Sequence, residues 1–190
     1  YFGSGDGNLY AVDAATGELR WKFQTGDVVH ASPAYADGVL FFGSWDSYFY
    51  AVDAASGKEK WRFHGGEDAE IHNQVGFQSS PAVVDGVVYT GCRDAQLYAL
   101  EAATGKEKWR SDNALSWVIS SPAVSDGKVF FSTSGSRLYH VVDSASAKPF
   151  LTLQDKRYLF SSPAIAGAVG FIVPLTGSLD ARHPTQARAL

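Results

Sequence analysis

Three stretches of the chain are copies of one another: LYAVDAATGELRW at Leu9–Trp21, FYAVDAASGKEKW at Phe49–Trp61 and LYALEAATGKEKW at Leu97–Trp109. A fourth, LYHVVDSASAKPFL at Leu138–Leu151, is worn. It carries one extra residue, lacks the glycine, and has Leu151 where the others have tryptophan. A fifth, SLDARHPTQARAL at Ser178–Leu190, keeps only the frame. A second string, Ser-Pro-Ala, interleaves with these, its prolines Pro33, Pro81, Pro122 and Pro163 lying 48, 41 and 41 residues apart. Self-similarity at about 40 residues marks an array of supersecondary units, each of which buries its apolar faces against its neighbours.

One period reads as four short strands. In the third copy, residues 79–84 alternate as a strand and Asp85-Gly86 supplies the two positive-φ positions of a type I′ hairpin turn. Asp37-Gly38 and Asp126-Gly127 repeat that turn. Residues 87–91 form a β-branched and aromatic run, residues 97–101 a third strand, and residues 106–110 a fourth after the turn at Ala102–Gly105. Nothing has helical periodicity. Four-stranded antiparallel units at this period predict an all-β fold, a β-propeller.

The pattern Ala-x-Asp-x-x-Thr-Gly-x-x-x-Trp resembles the tryptophan-docking motif of the pyrroloquinoline-quinone-type (PQQ-like) propeller repeats. It is complete at Ala11, Asp13, Thr16, Gly17 and Trp21. At Ala51, Asp53, Gly57 and Trp61, Ser56 replaces threonine; at Ala99, Thr104, Gly105 and Trp109, Glu101 replaces aspartate. The preceding Gly-Ser-x-Asp, at Gly3, Ser4, Asp6 and at Gly43, Ser44, Asp46, fits as well. The resemblance implies that these tryptophans sit between adjacent blades, stack on the Thr-Gly turn and bond a carbonyl next door, with the alanine kept small to admit them. Residues 1–26 then form a partial blade, 30–66, 78–112 and 118–153 full blades, and 159–190 another partial blade. Residues 1–190 are expected to be a single propeller unit, an incomplete arc of about four to five blades and a fragment of a longer protein. A closed four-bladed ring, with residues 161–166 beside residues 1–10, ranks lower because it leaves the end of the chain over.

Composition narrows the function classes. The chain has 190 residues, 45% hydrophobic and 14% aromatic, which excludes a disordered segment. Its net charge of −4 and scattered lysines and arginines give no basic stripe for nucleic acid. No apolar run is long enough for a membrane helix. Cys92 is the only cysteine, so no internal disulfide forms. The chain begins at Tyr1 and contains no methionine, so any signal peptide would lie upstream of it.

The quinoprotein dehydrogenases that share this repeat hold their quinone with calcium, a catalytic aspartate and adjacent cysteines. This chain has no Cys-Cys pair, and its aspartates fall in turns: Asp13, Asp53 and Asp143 in the repeat, Asp37, Asp85 and Asp126 in hairpins. No catalytic, cofactor or metal residues are therefore assigned; PQQ and calcium enter only under the alternative of a dehydrogenase fragment. The segment after Trp61 is about eight residues longer than its counterparts and contains His64, Glu67, Asp68, Glu70 and His72. These types bind metals, but no fixed spacing organises them, so a surface-loop site is the expected reading. Ile71, Val75 and Phe77 are expected to tie down its far end. Trp45, Tyr48 and Trp117 break the consensus as packing or as exposed contacts. The resemblance implies a non-enzymatic scaffold or protein- and ligand-binding module of the bacterial periplasm or cell envelope, its partners being proteins or the rest of its own propeller.

Overall fold

A computed structural model describes residues 1–66, 76–154, 161–166, 169–172 and 180–182. Among them, strands form five antiparallel meanders. Blade I has β1 (Phe2–Gly3), β2 (Asn8–Val12) and β3 (Leu19–Gln24). Blade II has β4 (Ala34–Ala36), β5 (Val39–Gly43), β6 (Tyr48–Asp53) and β7 (Glu59–His64). Blade III has β8 (Ala82–Val84), β9 (Val87–Gly91), β10 (Leu97–Glu101) and β11 (Glu107–Arg110). Blade IV has β12 (Ala123–Ser125), β13 (Lys128–Ser132), β14 (Leu138–Asp143) and β15 (Pro149–Gln154). Blade V has β16 (Ala164–Ala166), β17 (Val169–Ile172) and β18 (Asp180–Arg182). The first strands touch in series, β4 with β8, β8 with β12 and β12 with β16, so they line the inner side of an incomplete propeller arc. β16 pairs with β17, and among the described residues it does not pair with residues 1–10 as the closed ring would require.

The hairpin turns follow their sequence. Asp37, Asp85 and Asp126 have φ of 48°, 50° and 49°, each followed by a positive-φ glycine, the backbone that keeps a two-residue turn in step with strand twist. The first strand of each full blade is shorter than the sequence pattern suggests. In blade III it spans Ala82–Val84, not residues 79–84. Pro81 has no N–H for a ladder, and Ser79 instead donates its hydroxyl to the Ser120 carbonyl of the next repeat, at 3.0 Å.

Each interface between blades has its own core. Leu9, Phe42, Tyr50 and Val52 fill I/II; Phe41, Phe49, Phe77, Tyr98 and Leu100 fill II/III. Leu97, Val118, Val129 and Phe131 fill III/IV, and Phe130, Tyr139 and Val141 meet Ile165 at IV/V. Blades are apolar on both faces, as a radial stack demands.

The worn fourth copy is displaced by one residue from the way its Leu-Tyr string suggests. Strand pairing aligns Asp143 with Asp53, Val141 with Ala51 and His140 with Tyr50. The extra residue thus lies in the turn between β13 and β14, and His140 takes a tyrosine's place. Across the strand Val141 faces Leu151 where Ala51 faces Trp61, so a larger residue on one side accompanies a smaller one on the other. Ala147, at φ 60°, holds the left-handed position of the missing glycine.

Candidate functional site

The repeated tryptophans bridge blades. Trp21 Nε1 donates to the Ala54 carbonyl at 3.1 Å, Trp61 to Ala102 at 3.0 Å, and Trp109 to Ser144 at 3.0 Å. Each is cross-strand from its alanine: Ala11, Ala51 and Ala99. Trp21 covers Gly57 and Trp61 covers Gly105 so closely that a Cβ there would sit 2.7 and 2.5 Å from the indole. Those glycines also have φ of 70° and 73°, so two constraints select glycine. Asp13 anchors its turn by accepting from the Ala15 and Thr16 amides; the Arg20 guanidinium, then those amides, hold its carboxyl down at about 2. Asp53 accepts from the Ser56 amide and hydroxyl, and Glu101 from the Thr104 hydroxyl, so the serine and glutamate variants keep the same turn. The Ser-Pro-Ala serines, given no role by sequence, also link blades: the Ser32 amide donates to Ser80 Oγ and the Ser121 amide to Ser162 Oγ, both at 2.9 Å.

In each full meander, the turn between the second and third strands shares one face of the arc with the loop joining one blade to the next. Backbone bonds weld the two: Trp45 N to Val28 O, Arg93 N to Gly76 O, Ser134 N to Trp117 O. The aspartates of these turns are anchored too. Asp46 accepts from the Tyr50 hydroxyl at 2.7 Å and from the Gly26 amide of the preceding blade at 2.7 Å. Asp94 repeats the tyrosine bond with Tyr98 at 2.5 Å, and burial raises its carboxyl against the pull of that hydroxyl.

On this welded face two of the consensus-breaking aromatics, Trp45 and Trp117, meet around Arg93, a residue and a convergence that sequence reasoning missed. The Arg93 guanidinium carbon is 4.7 Å from the Trp45 ring centre and 4.1 Å from that of Trp117. His30 meets Trp45 edge-on at 4.9 Å. Arg93 is 5% exposed, and its burial lowers the guanidinium's affinity for its proton. Both tryptophans are half-buried, with Leu115 nearby in sequence, 75% exposed at φ 62°. A bulky residue held left-handed and pointing into solvent is a costly conformation of the kind that collects at functional surfaces. The signal lay in the repeat frame: one position holds Gly5, Trp45, Arg93 and Ser134 in successive blades, although in the first three an aspartate always follows it.

Of the predicted loop site, only His64 is described; it stacks edge-on with Tyr48 at 4.8 Å at the end of β7. Glu67, Asp68, Glu70 and His72, with Ile71 and Val75, lie outside the described residues. Phe77 is fully buried in the II/III core. Cys92 is buried with its thiol on the Gly76 carbonyl, and burial pushes its pKa up, away from nucleophilic use. Among the described residues no three histidine, cysteine or acidic side chains converge on a metal-sized point, and no helix is long and apolar enough to cross a membrane.

Four-stranded meanders stacked radially through indole docking define a β-propeller of the PQQ-like class. The chain belongs to the family described as outer membrane protein assembly factor BamB, which matches residues 1–76 and 68–166. No curated protein matches it significantly. Among solved structures it is similar to BamB from Moraxella catarrhalis, at 16% identity and a TM-score of 0.78, over 96% of this chain and 56% of that one. It is also similar to the computationally designed Ika8 protein, at 15% identity and TM-score 0.81, over 95% of this chain and 54% of that one. The quinohemoprotein alcohol dehydrogenase of Comamonas testosteroni aligns at 18% identity and TM-score 0.77, over 96% of this chain and 39% of that one. The chain thus spans little more than half the length of the BamB structure.

Proposed function

We propose that this chain is the docking part of a non-enzymatic propeller scaffold in the bacterial cell envelope, and that it holds a protein partner on the face carrying Trp45, Arg93 and Trp117. The observation that carries the reading is the guanidinium over two indoles, assembled from two turns and one connecting loop. Tryptophan and arginine are the residue types that dominate protein-binding energetics, and a rigid arc presents them without an ordering cost on binding. Membership of the BamB family supports an assembly role and an envelope location.

The dehydrogenase neighbours favour a second reading, a portion of a PQQ-dependent enzyme. Calcium beside a quinone needs six to eight converging oxygens. The turn carboxylates Asp6, Asp46 and Asp94 are each occupied by a tyrosine hydroxyl, and the described residues do not fit such a site.

One experiment separates the readings. A photo-crosslinking residue at Leu115 in cells should trap a partner of defined mass that the same residue at Asp126, on the opposite face, does not trap. The Trp45→Ala variant should lose the adduct while remaining folded. Equal trapping from both faces refutes the docking face. Stoichiometric calorimetric binding of PQQ with calcium, and dye-linked alcohol oxidation, would establish the enzyme reading instead.

A further inference from the structure

The outer edge of blade IV lacks the charges that guard the others. Blades I to IV each end in an outer strand, β3, β7, β11 or β15, whose far side pairs with nothing among the described residues. Exposed positions flank the indole position on these strands. One residue before it stand Arg20, Lys60 and Lys108, but Phe150 in blade IV; one residue after it stand Lys22, Arg62 and Arg110, but Thr152. Arg62 and Arg110 lie along their edges, bonded to Glu59 and Glu107 at 3.1 Å, and Pro149 takes the place of those glutamates. Charged side chains on an edge keep it from pairing with another strand, and β15 carries none from Pro149 to Gln154. Phe150 is 52% exposed, with the Lys128 ammonium 5.0 Å from its ring centre, and Thr152 and Gln154 are exposed as well.

The ladder fixes which backbone groups this edge offers. The Gly65 amide donates to the Ser47 carbonyl and the Ser111 amide to the Leu97 carbonyl, continuing the β6–β7 and β10–β11 registers by one pair. Antiparallel strands bond at every second residue, so Trp61 and Phe63 bond inward and Arg62 presents its N–H and C=O outward. In the same register Leu151 and Leu153 bond to β14, while Thr152 and Gln154 present theirs outward, with Phe150 at the bulge before them.

The edge is complementary to itself. When two β15 strands lie antiparallel about Thr152, Thr152 meets Thr152 as a hydrogen-bonded pair. Leu151 meets Leu153 on either side, and Phe150 meets Gln154 beyond. Pro149, which has no N–H, ends the ladder, and no like charges stand opposite one another. Cross-strand threonine pairs are favourable, whereas like charges directly opposite are not. The same operation on β3, β7 or β11 would set Lys22 on Lys22, Arg62 on Arg62 or Arg110 on Arg110, at about 5.5 Å between Cα atoms.

We infer that the β15 edge is a self-association site, at which a second copy of this chain pairs its own β15 antiparallel about Thr152, so that the two four-stranded blades become one continuous sheet. The near-palindrome Leu151-Thr152-Leu153 in an uncharged edge specifies the occupant. A contact of one strand pair belongs to the small, transient class of interfaces, so the dimer forms at high protein concentration. The inference does not rest on the partner proposed for the face of Trp45 and Arg93.

Sedimentation velocity of the 190-residue chain over a concentration series should show a monomer–dimer equilibrium. Thr152→Lys, which restores the guard of the other blades, should weaken it about tenfold or more, and Gln154→Lys should act in the same direction. Thr152→Val, with the same bulk and no charge, should leave it within about twofold. Circular dichroism should show all three variants folded, since both positions are exposed. A short dimaleimide crosslinker locates the contact. Thr152→Cys should give a covalent dimer, and Lys22→Cys, Arg62→Cys and Arg110→Cys, the same position in the other blades, should not; Cys92 is buried and gives no background. The inference is overturned if the chain stays monomeric throughout the series, if the lysine variants associate as the parent does, or if Arg110→Cys crosslinks as readily as Thr152→Cys. Adducts of Thr152→Cys formed in cells only with a different protein would overturn the choice of occupant.

Discussion

Truncating Trp61 should be the most damaging single change in the middle of the arc. The indole packs against Phe41 and Phe49, at 5.8 and 6.2 Å between ring centres, and lies over Gly105 of the next blade. Its N–H donates to the Ala102 carbonyl at 3.0 Å. Trp61→Ala removes the area shared by two blades and leaves a cavity that flanking strands, held by their ladders, cannot close, a loss of about 3–5 kcal/mol. About 1 kcal/mol of that belongs to the hydrogen bond, so Trp61→Phe should recover most of the loss but not all. Trp45 is as large and, like Trp61, half-buried, but its principal partners are the Arg93 guanidinium and His30 instead of a blade core. Trp45→Ala should therefore cost about 1–2 kcal/mol. Urea titration followed by circular dichroism reads the difference: with a slope near 2 kcal/mol per molar, the midpoint should fall by about 2 M for Trp61→Ala and by less than 1 M for Trp45→Ala. Equal midpoint shifts at unchanged slope would refute the assignment of Trp61 as the inter-blade contact.

Three further outcomes follow from the same geometry. Ala147→Gly relieves a left-handed alanine at φ 60° and should stabilise the chain by about 1 kcal/mol, raising Tm by about 3 °C in calorimetry; a fall in Tm would mean that the methyl's packing at the III/IV interface outweighs its strain. His140 lies against Phe131 at 4.8 Å, and burial lowers its pKa to about 4. An unfolded histidine titrates near 6.5, so between these values the unfolded state binds more protons: stability is whole above about pH 6.5 and declines by roughly 3 kcal/mol as pH falls toward 4, and His140→Phe should flatten that slope in denaturant titrations across the window. Asp46→Ala removes acceptors from Tyr48 N, Tyr50 Oη and Gly26 N, so the chain should lose about 2–3 kcal/mol in urea titration and the Gly26 amide should exchange faster; unchanged exchange would dissociate this carboxylate from the inter-blade weld.

Local chemistry made much of the fold legible. A positive-φ Asp-Gly turn, a Thr-Gly turn and a tryptophan four residues past that glycine are each decided within a dozen residues, so they write their geometry into the string. The fourth blade was harder to read because its Leu-Tyr pair imitates the repeat one residue out of step; Asp143, whose role in the turn is fixed by hydrogen bonds to Ala145 and Ser146, is the better anchor. The candidate site was illegible for a different reason. Trp45, Arg93 and Trp117 are brought together by radial stacking, and no local period encodes contact between residues 48 and 24 positions apart.

The two kinds of position divide the molecule's work. Among the residues that recur from blade to blade, the indoles, the inner serines and Asp46 are committed to adjacent blades by hydrogen bonds. Because each interface has its own core, one blade's outward turn can change without disturbing the next interface. The position after the Ser44-type residue is where that freedom is used. It holds glycine in blade I and serine in blade IV, but in blades II and III it supplies the tryptophan and arginine that meet above the II/III interface. Arg93 is desolvated between aromatic rings while its backbone stays bonded to Gly76, so the cluster is rigid before any partner arrives. A preorganised aromatic–guanidinium surface on a backbone that stacking has already fixed is a way to bind protein at little entropic cost. The worn fourth blade follows the same logic in reverse: Leu151 and Val141 exchange bulk across one strand pair and the sheet survives. The repeat therefore tolerates change where strands face one another as a compensating pair, and the proposed docking surface falls where turns face outward.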